Sequence, residues 1–277
     1  MKIFQILIPV YNDWESLEVL LIKINNYIRT IGHQINILIV DNHSSEKNNK
    51  HFNFNNISEI KIIENEKNIG HVKSIAKGIN YLKNFKKFDF LIVMDSDGED
   101  RPEEIAELIQ TQLNYPNYTI TANRTKRSES FFFRFFYKCH KILLFLFTGK
   151  SIKFGHYVSI PYAQVNLIFD KKDLLVSFSG AIEKLIFKKK SINSFRGIRY
   201  KGFGKMNFIK LIIHSLRIIS VFKINFFLHS IFFFIFLSSF FFFYFNIFYL
   251  FVFLSSFFLL LILNLIIFYI YYYYSKP

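Results

Sequence analysis

Four acidic side chains fall within the six residues Asp95-Ser96-Asp97-Gly98-Glu99-Asp100, directly after the apolar run 90–94. Hard carboxylate oxygens at alternate positions suit Mg²⁺ or Mn²⁺, which take their remaining ligands from water and substrate phosphates. Asp95, Asp97 and Glu99 are the candidate metal ligands. The apolar run reads as a buried strand, and Pro102-Glu103-Glu104 as a helix start with Asp100 as cap and Glu103 as its box partner. The carboxylates then lie at the C-terminal end of a strand, where open α/β sheets bind ligands. The plainer alternative is an acidic strand-to-helix turn, and a lone Asp-x-Asp does not decide between them.

Other segments deliver polar groups in the same way. Residues 3–10 read as a buried strand with the polar exit Tyr11-Asn12-Asp13. Leu17, Leu20, Leu21, Ile24, Ile28 and Ile31 recur at three and four, predicting a helix over 14–31 that stops at Gly32. Residues 35–40 form a second strand with the exit Asp41-Asn42-His43-Ser44-Ser45. A short strand at 60–63 leads to Asn68-Ile69-Gly70, and Val72, Ile75, Ala76, Ile79 and Leu82 mark a further helix. Ile105, Leu108, Ile109 and Leu113 mark another, before a strand at 118–121. This alternation implies a mostly parallel sheet with right-handed crossovers. Four polar exits then line one edge of the sheet as a nucleotide-sized crevice. Residues 151–200 are less readable. Lys188-Lys189-Lys190 reads as a solvated basic patch and 195–200 as a strand. The basic, glycine-spaced segment from Arg199 to Lys205 suits phosphate.

Charge is unevenly distributed. The net charge is +15, residues 226–274 contain no Asp, Glu, Lys or Arg, and no acidic residue follows Glu183. A basic band beside an apolar tail fits anionic lipid headgroups better than nucleic acid. The helix expected over 131–147 carries Arg134, Lys138 and Lys141 together. It reads either as an interfacial helix or as a core helix with a basic face. A helix over 226–245 rises about 30 Å, one bilayer crossing, and 247–271 gives a second. Arg217, Lys223 and Lys276 flank the pair, which places both ends in the cytoplasm. The expected domains are a cytoplasmic one over 1–210, a basic juxtamembrane segment over 211–225, and two transmembrane helices within 226–274. The single cysteine, Cys139, excludes an internal disulfide. The run 3–10 is too short for a signal peptide and has no cleavage-type residues after it.

These pieces together resemble the family 2 glycosyltransferases, specifically the polyprenyl-phosphate sugar transferases of the dolichol-phosphate mannose synthase type. The matching motifs are Pro9-Val10-Tyr11-Asn12-Asp13, Asp41-Asn42-His43-Ser44-Ser45, Asn68-Ile69-Gly70 with Gly78, and the run from Asp95 to Glu103. Arg124 and Arg127 follow, then Arg199 with Gly202 and Lys205. The resemblance implies a GT-A-type, Rossmann-like nucleotide-sugar domain. Pro9, Tyr11, Asp13, Asp41, Gly70 and Asp95 would border the donor, and Asp95, Asp97 and Glu99 would hold Mg²⁺ or Mn²⁺. Arg199 and Lys205 would close over the donor phosphates, while Arg124, Arg127 and Arg134 would receive an anionic acceptor. Asn42 and Glu99 depart from the family's common residues.

The implied reaction is inverting transfer of a sugar from a nucleotide donor to a polyprenyl phosphate at the inner membrane face. A lipid phosphate is already largely ionised at neutral pH and needs no strong base. A hydroxyl acceptor needs one, and Asp100 is the candidate. Addition to a lipid-linked glycan in cell-surface polysaccharide synthesis, and a non-catalytic membrane-anchored scaffold, are the competing readings. Self-association is left open by the sequence.

Overall fold

A computed structural model describes residues 1–46, 52–85, 87–126, 131–202, 208–243 and 247–276. The chain divides into two compact units, Met1–Glu129 with Lys153–Lys205 and Ser130–Ile152 with Met206–Pro277. In chain order the elements are β1 (Ile3–Val10), α1 (Trp14–Tyr27), β2 (Gln34–Asp41), β3 (Glu59–Glu64), α2 (His71–Phe85) and β4 (Phe90–Val93). A 3₁₀ turn at Pro102–Glu104 leads into α3 (Ile105–Asn114) and β5 (Thr119–Lys126). After α4 (Phe131–Thr148), in the second unit, come β6 (Phe154–Pro161), α5 (Tyr162–Ile168), α6 (Lys172–Val176), α7 (Phe178–Leu185) and β7 (Lys189–Phe195).

The first unit is built on one seven-stranded sheet of order β3-β2-β1-β4-β6-β5-β7. Strands β1 to β4 pair in parallel. β6 runs antiparallel to both neighbours, and β5 pairs in parallel with β7. The expected mostly parallel sheet is therefore present, with one reversed strand in the stretch of little periodicity. β1 is apolar but for Gln5 because both of its faces are covered. Phe4, Ile6 and Ile8 pack with α1 residues Leu17, Leu20 and Leu21 and with Leu108 of α3. Leu7 and Leu91 face the other way, toward Ile75 and Ile79 of α2 and Phe178 of α7.

Three local expectations are corrected. α1 ends at Tyr27, capped by Ile28, rather than running to Ile31. Ile31 N–H then bonds Ile28 C=O in a turn, and Gly32 lies beyond it at positive φ. Asp100 does not cap the turn at Pro102. Arg101 holds the cap position, without a side-chain cap bond. The third correction concerns 195–200. β7 ends at Phe195, and the following residues leave the sheet to bond the acidic loop instead. Of the basic patch, Lys189 pairs with Glu183 at 2.8 Å and Lys190 lies over the Tyr115 ring.

The docking of residues 196–200 on the acidic loop depends on two glycines. Gly197 N–H donates to Glu99 C=O at 2.9 Å, and Tyr200 N–H donates to Asp97 C=O at 3.0 Å. A Cβ on Gly197 would overlap the Gly98 carbonyl oxygen. Gly98 has φ +87°, and a Cβ there would enter the Tyr200 ring. The contact is backbone against backbone, so a flexible side chain cannot relieve it.

At the opposite end of the strands Asp89 ties three strand ends together. Its carboxylate accepts from Ile3 N–H at 2.8 Å and from Lys2 Nζ at 2.9 Å. Its own N–H donates to Ile3 C=O, and its C=O accepts from Tyr162 N–H.

The second unit is helical: α4, α8 (Phe208–Val221), α9 (Lys223–Phe243) and α10 (Ile247–Tyr274). Lys223 Nζ lies 3.1 Å from the Tyr271 ring centroid, and Phe234 packs on Phe253 and Phe257. The start of α9 thus lies beside the end of α10, so the two helices run in opposite directions. Among the described residues, Leu250–Tyr274 alone is a single helix long and apolar enough to cross a membrane. α9 reaches that standard only jointly with α8, from which it is bent by 88°. The expected pair of spans is therefore supported in part.

Two outcomes follow for the first unit. Asp89→Asn should cost about 1 kcal/mol at pH 7. Burial raises the Asp89 pKa, but the Ile3 N–H and Lys2 more than offset this and hold it below the ordinary 3.8. Its stabilisation is present above the unfolded-state value and is lost as pH falls through the folded one. Urea unfolding of both proteins should show a gap at neutral pH that narrows as pH falls below the ordinary 3.8 toward the lower folded value, and a gap that stays constant on acidification would refute the assignment. Gly197→Ala should destabilise by roughly 1–3 kcal/mol, seen as a melting temperature several degrees lower; an unchanged melting curve would mean the loop contact is not needed.

Candidate functional site

The C-terminal ends of β1, β2 and β3 are level, with Val10 opposite Asp41 and Asp41 opposite Glu64. Beside them β4 ends at Val93 and releases Met94 and Asp95. The polar exits of these four strands therefore fall along one edge of the sheet.

Each exit is stiffened by its own hydrogen bonds. Asp41 is buried, and its carboxylate accepts from Ser44 N–H at 3.1 Å and Ser44 Oγ–H at 2.6 Å. Ser44 Oγ in turn accepts from Asn12 N–H, and Asn12 Oδ1 accepts from Ser45 N–H, so the first two exits are laced together. Asn12 reaches φ +49° to do this. Asn42, where the family resemblance led to an acidic residue, accepts from Ile69 N–H and Asn65 Nδ2 and donates to Asn68 Oδ1. An amide can donate and accept at once, whereas a carboxylate at this position could only accept. Asn42 thereby fixes the turn that ends at Gly70, and Gly70 opens α2 at φ +88°. Pro9 is buried within β1 and Tyr11 is exposed beside it.

The acidic loop is where charge concentrates. Asp95 Oδ1 lies 3.0 Å from His71 Nε2 and 3.2 Å from His156 Nδ1. The two ring nitrogens are 3.3 Å apart. Burial disfavours the Asp95 charge, but the two imidazoles more than compensate and hold its carboxyl well below the usual range. Asp97 is pushed up to about 7, first by burial and then by the Asp95 charge, although Arg199 works against this. Burial opposes a proton on His71, yet Asp95 outweighs it and raises the His71 pKa.

Cations from the loop after β7 meet these carboxylates. Arg199 Nη1 lies 2.8 Å from Asp97 Oδ2, and its Nη2 lies 3.2 Å from Asp13 Oδ2. Asp13 stands at the N-cap of α1 but makes no side-chain cap bond. The Arg199 Nε–H is buried and has no partner among the described residues. Arg196 Nη2 is 2.6 Å from Glu99 Oε2, which gives that expected metal ligand a cationic partner. Asp100 is buried beneath the loop. It accepts from Asp95 N–H at 2.9 Å and from Arg124 Nη2 at 3.0 Å. Arg124, expected to receive the acceptor, is thus engaged as a brace under the loop, and Asp100, the candidate base, has both oxygens occupied. Lys205 and Arg127 lie outside the described residues, as do the side chains of Arg134 and Cys139.

His71 and His156 were not singled out from the sequence. His71 directly follows Gly70, so its place at a strand exit was readable. His156 lies on β6, and the register that pairs Val93 with Val158, carried two residues on, sets it opposite Asp95. That antiparallel pairing has no signature in the local sequence.

The strand ends thus bring carboxylates, imidazoles and a guanidinium together at one edge of the sheet. Curated relatives include undecaprenyl-phosphate 4-deoxy-4-formamido-L-arabinose transferases. That of Photorhabdus laumondii is 27% identical over 160 residues, covering 54% of this chain and 46% of that protein. That of Proteus mirabilis is 29% identical over 152 residues, covering 53% and 44%. The chain thus spans about half the length of these relatives. Among solved structures, S. aureus TarS 1-349 in complex with UDP-GlcNAc aligns with TM-score 0.51 and 14% identity, over 81% of this chain and 67% of that one. Glucosyl-3-phosphoglycerate synthase from Mycobacterium tuberculosis in complex with Mn²⁺, UDP-Glc and phosphoglyceric acid aligns with TM-score 0.52 and 11% identity, over 81% and 79%. At such identities the likeness establishes a shared fold. The model of the glycosyl transferase family 2 matches residues 5–174, more than half the chain, and this protein belongs to that family.

Proposed function

We propose that this chain transfers a sugar from a nucleoside-diphosphate sugar to a polyprenyl phosphate, with a divalent ion, at the cytoplasmic face of a membrane. The observation that carries the reading is Arg199. It is half-buried against Asp97 and Asp13, and its buried Nε–H has no partner among the described residues, where the exits of β1 and β4 meet. An unpaired buried guanidinium N–H is costly unless a ligand accepts from it. A diphosphate oxygen is the acceptor that family membership suggests.

The nucleotide lies along the exits of β1 and β2, where Tyr11 is exposed and Asp41 is held by Ser44. Arg199 holds the diphosphate and balances the charge that builds on it as the sugar leaves. Burial and the Asp95 charge push the Asp97 carboxyl up to about 7 even beside Arg199, so a cation in this loop would relieve that repulsion. Asp95 would hold it, with Asp97 and Arg199 beside it toward the diphosphate, and a bound ion would supply Lewis-acid stabilisation of the leaving group. Asp100 and Arg124 hold the loop in place from below. An ionised lipid phosphate attacks the anomeric carbon without a base, which agrees with both Asp100 oxygens being engaged.

The helical unit supports a lipid acceptor. Leu250–Tyr274 rises about 37 Å as a helix, enough to cross a bilayer, and most of it is exposed. Lys223 over Tyr271, Arg217 over Tyr274 and Lys276 over Tyr272 gather basic and tyrosine side chains at one end of the hairpin. That combination supports reading this end as lying at a membrane interface on the cytoplasmic side. The relatives named for undecaprenyl phosphate point the same way.

A thermal-shift screen of nucleotide sugars with Mn²⁺ should single out one donor, because binding to the native state raises stability. That donor, radiolabelled, should then pass its sugar to polyprenyl phosphate. Label found only on a preformed lipid-linked glycan would replace the proposed acceptor, and the absence of any transfer would overturn the reading. Asp97→Asn should reduce turnover by about 100-fold or more while the protein still partitions into membranes. Unchanged turnover would remove Asp97 from the site.

A further inference from the structure

We propose that His71, Asp95 and His156 form a divalent-metal site with two imidazole nitrogens and one carboxylate oxygen, selective for Mn²⁺, Co²⁺ or Zn²⁺ over Mg²⁺. The binding claim stands on these three residues. Its role in sugar transfer rests on the proposed function above.

Geometry carries the inference. The three candidate ligand atoms are separated by 3.0, 3.2 and 3.3 Å. Atoms bound to one ion at about 2.1 Å stand about 3.0 Å apart in an octahedral shell and about 3.4 Å apart in a tetrahedral one. All three edges fall in that interval. The atoms come from three separate elements: His71 from the first turn of α2, Asp95 from the end of β4, and His156 from β6. Local chain geometry therefore does not account for their convergence.

The packing around the triad keeps it assembled. The Asp95 backbone is fixed by Asp100, and the His156 ring lies against His71 at 4.6 Å and Phe178 at 5.8 Å. Without an ion, two ring nitrogens and one carboxylate oxygen must share protons among three short contacts. One cation satisfies all three at once.

Donor chemistry sets the selectivity. Mg²⁺ prefers oxygen ligands and gives up water reluctantly, whereas imidazole suits the later divalent ions. Glu99 and Asp97, the oxygen ligands that would favour Mg²⁺, already face Arg196 and Arg199. The nitrogen pair therefore tilts this crevice away from the all-oxygen set expected from its acidic motif.

The test uses the full chain, purified in detergent and stripped of metal. Mn²⁺ titrated into it should bind one ion per chain, with pulsed electron paramagnetic resonance showing ¹⁴N couplings from imidazole. Mg²⁺ should compete at least about tenfold less well. His71→Gln and His156→Gln should each weaken Mn²⁺ binding by about tenfold or more, and the double variant should lose the couplings. Far-ultraviolet circular dichroism checks that the variants fold, and the wild-type couplings need no variant at all. Bound Mn²⁺ without nitrogen couplings, equal competition by Mg²⁺, or no binding would each overturn the site. Because no donor or acceptor is present, the outcome is separable from the proposed activity. Mn²⁺ bound through nitrogen with no sugar transfer would leave the site standing and fell the transferase reading.

Discussion

Negative charge buried at the end of β4 is the constraint around which the first unit is arranged. Asp95, Asp97 and Asp100 lie within six residues, and each is largely removed from water. Like charges at that spacing in a poorly hydrated loop repel strongly. The chain answers with positive or protonatable groups from four distant places: His71, Arg124, His156 and Arg199. Each carboxylate has a different partner, so each has a different electrostatic state. Asp95 is held ionised by two imidazoles, and Asp100 is braced by Arg124 although burial and Asp95 raise its pKa. Asp97 faces Arg199, yet burial and the Asp95 charge still push its carboxyl up to about 7.

That arrangement needs a rigid platform, and the sheet provides one. β1 and β4 are covered on both faces, so their C-terminal ends cannot shift without disturbing two cores at once. Rigid strands set the positions of Asp13, Asp41 and Asp95. The turns beyond them are held by a short list of polar bonds, from Asp41 to Ser44 and from Asn42 to Asn65 and Ile69. The loop after β7 reaches the acidic run through backbone bonds at Gly197 and Tyr200. A glycine at 197 lets two backbones approach where any side chain would separate them.

The second unit follows a different physical logic. Its helices α9 and α10 are apolar nearly all round and leave large hydrophobic side chains exposed, among them Phe232, Phe236, Phe251, Leu259 and Ile262. A helix of this kind needs either a protein core or lipid around it. Basic and tyrosine side chains collect where the start of α9 meets the end of α10, which is the chemistry of a bilayer interface.

Much of this organisation is written in residue order. Apolar runs of β-branched residues bounded by polar exits announce buried parallel strands, and three-four spacing announces α1, α2 and α3, because burial on a fixed period leaves a local trace. The family membership, the edge of the sheet where the polar exits gather, and the apolar tail were all legible on those grounds. Pairings across the chain leave no such trace. That β6 runs antiparallel beside β4, that Asp100 bonds Arg124 instead of capping a helix, and that His71 and His156 close on Asp95 are matters of register and packing between distant segments, 24 residues apart for Asp100 and Arg124 and 61 for Asp95 and His156. The chain's composition states which chemistry is available; the folded sheet selects which side chains share it, because only there do distant groups become neighbours.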